Sequence, residues 1–226
     1  MTADYLQSIL DIFTGHLERY DRLEAVRYAL SLLDEGTATI SELYEGILAP
    51  SLNRILVGRD KEHDLIWREH VMTNIVRSVI ESALPHVLKE REKYCLPNFQ
   101  QKVMLVCPEE EYHDLGARMG ADFFTIAGYD VLYIGSNTPK SNIISAARYL
   151  KPDIIDISVS NYFNLVMLEK IIPELKQEIE KDVKVLVSGS AFKHTGRTYA
   201  DFHADGIVNS FKDIMDLRGD AHEDSH

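Results

Sequence analysis

From residue 4 to residue 94, apolar side chains recur three and four positions apart: Leu6, Ile9, Leu10 and Phe13; Leu23, Val26, Leu30 and Leu33; Ile40, Leu43, Ile47 and Leu48; Ile66, Met72, Ile75, Val76 and Val79. That spacing lines one face of a helix, so it predicts a bundle of four or five helices. Asp34-Glu35-Gly36 and Gly58-Arg59-Asp60 supply breakers, and Pro97-Asn98 reads as a linker. A helical domain is therefore expected over residues 1–96.

From residue 102 the period changes, and short runs rich in Val and Ile alternate with helical stretches. Strands are expected at 102–107, 129–135, 153–160, 183–188 and 206–209, with helices near 115–127, 139–150, 164–181 and 193–202. Continuous apolar runs suit parallel strands buried on both faces, and strand-helix alternation builds right-handed βαβ units. The expected fold class is α/β: a helical bundle, then a flavodoxin- or Rossmann-like doubly wound parallel sheet of five strands over 97–218. Residues 219–226 are polar and are expected to form a disordered tail.

Open sheets of this kind bind ligands outside the carboxyl ends of their strands. The loop after the first strand reads Glu111-Tyr112-His113-Asp114-Leu115-Gly116. A neutral imidazole can bind a metal through one ring nitrogen while a carboxylate two residues away accepts a hydrogen bond from the other and fixes the tautomer. Gly116 would let the backbone approach a flat, bulky ligand closely. The third strand ends in Ser158-Val159-Ser160 and the fourth in Ser188-Gly189-Ser190-Ala191-Phe192. Small residues often simply end strands, but two such loops at one edge leave a slot between the sheet and its helices.

Composition narrows the function. The 226-residue chain is 45% hydrophobic with a formal net charge of −12, and no basic run is present to neutralise phosphates. Direct nucleic-acid binding is therefore not expected. Asp4, Asp11 and Glu18 interrupt the N-terminal apolar stretch, unlike a signal peptide, and no apolar run of about 18 residues exists to span a membrane. A cytoplasmic protein is expected. Cys95 and Cys107 have no CxxC partner and read as reduced thiols. No GxGxxG, GxxxxGK[ST] or GxSxG sequence marks a nucleotide site or a hydrolase.

The motifs resemble the cobalamin-binding domain of methionine synthase, corrinoid methyl carriers and the CarH-type photoreceptors, over residues 100–217. In that family DxHxxG, SxL or SxT, and GG occupy the same three loops; here they stand as Glu111-x-His113-x-x-Gly116, Ser158-x-Ser160 and Ser188-Gly189. The resemblance implies that His113 is the lower axial cobalt ligand and that the displaced dimethylbenzimidazole tail enters a slot lined by Ser158, Ser160 and Gly189. Tyr112, Asp114, Leu115, Ala191 and Phe192 join the expected cofactor contacts. Glu111 replaces the usual Asp, as in the CarH-type branch, and Ser188 replaces the first glycine of GG, where its hydroxymethyl would narrow the slot.

In the photoreceptor-like branch a helical bundle caps the upper face of cobalt, with a proline, a tryptophan nine residues on, and Glu-His ten further. Counting from Pro50 reaches Arg59 and then Glu69-His70. Arg59 thus stands where the tryptophan would, and Trp67 reads as bundle packing. The resemblance makes His70 a second, upper cobalt ligand. The expectation that follows from the resemblance is a non-enzymatic cobalamin sensor, open to light as its signal, binding adenosylcobalamin, methylcobalamin or hydroxocobalamin. Lacking the MerR-type DNA-binding domain of its relatives, it would act through a protein partner such as a transcription regulator, or through homo-oligomerisation. The alternative is a corrinoid methyl carrier serving a separate methyltransferase; a third reading is a flavodoxin-like module that binds no corrinoid.

Overall fold

The computed structural model describes residues 3–57, 66–94, 96 and 99–223. The chain divides into two compact units, Met1–Lys93 and Tyr94–His226.

The first unit is helical: α1 (Ala3–Glu18), α2 (Arg22–Asp34), α3 (Ile40–Leu43), α4 (Ala49–Val57), α5 (Ile66–Ser82) and α6 (Leu84–Arg91). A π turn over Tyr44–Leu48 joins α3 to α4, so 40–57 is one helical stretch and the described residues hold five in all. Pro50 explains the widening, because it cannot donate a backbone N–H to the preceding turn. Local caps set the starts. Asp21 accepts from the Glu24 N–H, and Thr39 and Glu42 form a capping box. Buried Glu90 of α6 accepts the Ile40 N–H at 3.0 Å, tying α3 to α6. Ile9, Phe13, Leu17, Ile40, Leu43, Ile47, Val76 and Val79 fill the core, as the helical spacing predicts.

The second unit is a five-stranded sheet in the order β2-β1-β3-β4-β5, and every pairing is parallel. The strands are β1 (Lys102–Pro108), β2 (Asp130–Thr138), β3 (Ile154–Ser158), β4 (Lys184–Ser188) and β5 (Gly206–Val208). Between and after them run α7 (Leu115–Ile126), α8 (Lys140–Leu150), α9 (Leu165–Glu178), α10 (Ala191–Thr195) and α11 (Phe211–Glu223). This is the flavodoxin-like doubly wound order, whose chain reverses direction across the sheet between β1 and β3. Met104, Val106, Ile155, Ile157, Val185 and Val187 face the core that α8 and α9 cover. Because side chains alternate along a strand, Leu105, Asp156 and Ser158 face the opposite layer. A Cβ placed on Gly120 of α7 would lie 3.7 Å from Leu105, which puts α7 on that side.

Two local expectations need correction. The stretch 193–202 is not one helix: α10 ends at Gly196 in the left-handed conformation, and a capping box between Thr198 and Asp201 starts a separate 3-10 turn at Tyr199. α11 continues to Glu223, beyond the point where a disordered tail was expected.

Candidate functional site

β1 delivers the chain to the carboxyl edge at Pro108, and the following loop is fastened to the end of β2. Asn137 accepts the Glu110 N–H through Oδ1 at 2.9 Å and donates its own N–H to the Glu111 carbonyl at 2.9 Å. Glu110 adopts a left-handed φ of 66°, which turns the Glu111 side chain inward, where it is fully buried.

Glu111 is the centre of the site. Its Oε1 accepts from the His113 backbone N–H at 3.0 Å and is 2.8 Å from His113 Nδ1. Its Oε2 accepts from the backbone N–H groups of Ser160 and Asn161 at 3.0 and 2.8 Å, and from Asn164 Nδ2 at 3.2 Å. One carboxylate therefore joins the loops after β1 and β3, across the reversal in strand order. Burial pushes the Glu111 pKa up, but the bonds from His113, Asn161 and Asn164 outweigh it and hold it at about 2. The group is ionised at neutral pH and can only accept, so His113 Nδ1 carries the proton.

With Nδ1 bonded to Glu111, Nε2 is the nitrogen that His113 would offer a metal. The side chain is 58% exposed, so that nitrogen can be reached. Among the described residues no cluster of three or more His, Cys, Asp and Glu could hold a metal ion; the site offers a single supported imidazole. Around it, Ser160 Oγ donates to the His113 carbonyl at 3.4 Å and Asp114 accepts from the Tyr133 hydroxyl at 3.0 Å. Tyr112 is exposed and Leu115 is buried at the start of α7. No atom lies within 4 Å of a Cβ placed on Gly116, so the space its sequence position promised is present.

The other two loops divide the remaining candidates. Ser158 is buried beside Ser188, its partner in register. Ser188 Oγ donates to Asp156 Oδ2 at 2.8 Å, so the hydroxyl expected to crowd the slot is engaged by a carboxyl. Only the next position requires glycine: Gly189 has φ +103°, and a Cβ there would come 2.3 Å from the Val159 carbonyl oxygen. Ala191 and Phe192 belong instead to the core beneath α8 and α9, with Phe192 packed edge-on against Phe202. Their apolar side chains pack in that cluster.

In the helical unit, Glu69 and exposed His70 are neighbours on α5. Trp67 is exposed rather than packed inside, with its ring 5.7 Å from that of Tyr20. Arg59 lies outside the described residues. Asn161, Asn164 and Asp156 were not singled out from sequence. For Asp156 the signal was present, as an acid inside the apolar run Ile154-Ile155-Asp156-Ile157.

A supported imidazole and paired small-residue loops at the carboxyl edge coincide with a family match: residues 101–216 match the B12 binding domain. The chain belongs to the B12-binding domain family. It is 30% identical over 118 residues to a corrinoid protein of Desulfitobacterium hafniense, covering 51% of this chain and 53% of that protein. It is 26% identical over 137 residues to trimethylamine corrinoid protein 2 of Methanosarcina acetivorans, covering 59% and 62%. The chain thus spans between half and two-thirds of the length of these two relatives. The monomethylamine corrinoid protein of Methanosarcina barkeri shares the fold, with a TM-score of 0.76 and 12% identity over 93% of this chain and 97% of that one.

This B12-binding domain binds cobalamin. The relatives are corrinoid proteins, two of them named for methylamines, and they overturn the sensor reading of CarH type. A transcription regulator as partner falls with it. The substitution that suggested the photoreceptor branch has a plain physical reading: Glu111 reaches His113 Nδ1 at 2.8 Å, the contact expected of the motif's carboxylate. The donor set fits a corrinoid, whose ring would supply most of the metal's donors so that a single supported imidazole suffices from the protein.

Proposed function

We propose that this chain is a corrinoid methyl carrier, without catalytic groups of its own, that serves a separate methyltransferase. The observation that carries it is the Glu111–His113 pair at 2.8 Å, with Glu111 fully buried and five-fold hydrogen-bonded across the β1 and β3 loops. The corrinoid relatives support the same reading. Bound cobalamin supplies a cobalt that takes up and gives up a methyl group.

The chain's own residues set the conditions for that exchange. His113 would hold the cobalt through Nε2, and Glu111 keeps the proton on Nδ1, where its charge would make the imidazole a stronger donor. The Ser160 and Asn161 N–H groups and Asn164 fix Glu111, so the ring holds one orientation. Tyr112, Asp114, Leu115 and Gly116 flank the ligand on the same loop. Ser158, Ser160 and Gly189 border the space for the displaced base.

The test is to load the chain with methylcobalamin, add a corrinoid-dependent methyltransferase and a thiol acceptor, and follow the visible spectrum. Demethylation that requires His113 is the expected result. Stable binding with no transfer to the acceptor would overturn the carrier role, and an unchanged cobalt spectrum in His113→Ala would overturn the axial assignment.

A further inference from the structure

The loop after β3 carries two large aromatic side chains out into solvent. Asn161 accepts the Phe163 N–H through Oδ1 at 3.1 Å and caps a 3-10 turn over Tyr162–Asn164 that runs straight into α9. Tyr162 and Phe163 stand on that turn 51% and 68% exposed, with their rings 4.1 Å apart and tilted by 35°. Val166, about one helical turn further on, is 46% exposed, and residues three and four apart share a helix face. A lone exposed apolar residue needs no explanation, but a contiguous apolar patch on a folded chain marks a surface made to be covered.

The backbone beneath this patch is fixed, and its position is tied to the imidazole. Asn161 donates its N–H to Glu111 Oε2 at 2.8 Å, and Asn164 Nδ2 donates to the same oxygen and to the Glu110 carbonyl, each at 3.2 Å. The two asparagines bracket the aromatic pair, so the turn is fastened at both ends to the carboxylate that orients His113. A surface held in place before binding loses little conformational freedom when a partner covers it.

A methyltransferase that exchanges a methyl group with a carrier must meet it around the metal-binding imidazole. A standard interface covers about 800 Å² of each partner, a disc of roughly 16 Å radius. Asn161 is one hydrogen bond from Glu111, and Glu111 one from His113, so the adjoining rings fall inside that footprint. Between the parallel strands β3 and β4, α9 runs back from the carboxyl edge. Val166 therefore takes the patch down the outer layer of the unit, away from His113, where a protein surface can follow it. We propose that Tyr162, Phe163 and Val166 form the anchor on which the separate methyltransferase docks, its own surface there being apolar. Aromatic side chains are enriched at the buried centre of protein interfaces, and Tyr among the residues that dominate their energy. The inference rests on the carrier reading, because methyl exchange is what centres the footprint on His113.

The experiment loads the full chain and its variants with methylcobalamin, adds a methylcobalamin:thiol methyltransferase with a thiol acceptor, and measures kcat and the KM for the loaded carrier. Hydroxocobalamin titration and sedimentation velocity are run beside it. The double variant Tyr162→Ser, Phe163→Ser should raise KM about 10- to 100-fold while changing kcat and hydroxocobalamin affinity less than about twofold. Val166→Ser, outside the turn braced by Glu111, should raise KM about 3- to 10-fold and keeps the test decisive should the double variant misfold. An unchanged KM would overturn the proposal. A KM that rises only in step with weaker hydroxocobalamin binding would overturn it in favour of a cofactor contact, and a wild-type dimer that the substitutions dissociate would overturn it in favour of a second copy. Failure of the carrier role looks different: the wild-type chain itself then transfers no methyl group, which would overturn both readings.

Discussion

Two buried carboxylates belong to the sheet unit, Glu111 on the loop after β1 and Asp156 in the middle of β3, and their surroundings drive them in opposite directions. Glu111 accepts five hydrogen bonds, three of them from backbone N–H groups, and is held ionised with a pKa of about 2. Asp156 accepts one, from Ser188, and burial raises it to about 7. Burial is common to both, so the hydrogen-bond count decides the charge. A charged Glu111 orients a metal-binding imidazole. A proton-bearing Asp156 can donate where a carboxylate could only accept.

The largest expected effect breaks the Glu111 side at its purpose. His113→Ala should weaken hydroxocobalamin binding by more than about 100-fold, since even supporting residues of metal ligands are worth 10- to 100-fold; a spectrophotometric titration checks it. Glu111→Ala should then destabilise the cofactor-free chain by roughly 3 kcal/mol, because the N–H groups of His113, Ser160 and Asn161 lose a buried acceptor. Urea unfolding at neutral pH measures that loss, and a change under about 0.5 kcal/mol would show that water replaces the carboxylate.

The pH dependence separates the two carboxylates directly. Glu111 has a folded pKa below its ordinary 4.5, so its stabilisation is present above about 4.5 and is lost as pH falls towards about 2. Glu111→Gln should flatten that acid limb. Asp156 has a folded pKa above its ordinary 3.8, so the folded state binds the proton more tightly. Wild-type stability should fall as pH rises from about 3.8 to about 7 and level off above. Asp156→Asn should remove this slope and be more stable than wild type at pH 8 by roughly 1–3 kcal/mol. The smallest change sharpens the same point: Ser188→Ala removes the one bond that lowers the Asp156 pKa and should cost about 1 kcal/mol.

The chain's order of elements and the core of the loop after β1 were legible in the sequence, because both depend on near neighbours. Helical spacing, apolar strand runs and Glu111-x-His113 are local patterns, and the carboxylate-to-imidazole contact spans only two residues. Ser188 and Gly189 were legible as a motif, but the sequence could not tell that Ser188 turns to Asp156 while Gly189 alone needs a positive φ. Ala191 and Phe192 follow that motif, and only the structure shows that the start of α10 buries both in the core. The choice between sensor and carrier was also beyond the single chain, since Glu serves the imidazole as the usual Asp does.

Strand topology decided the rest. Placing β3 beside β1 brings Ser160, Asn161 and Asn164, about fifty positions away in sequence, onto Glu111, and placing β4 beside β3 sets Ser188 on Asp156. Sequence by itself determined which residue types stand at the sheet edge and that a histidine there has a carboxylate at hand. Only the tertiary structure decided how many donors each buried carboxylate meets, and in a low-dielectric interior that number fixes whether the group keeps its charge.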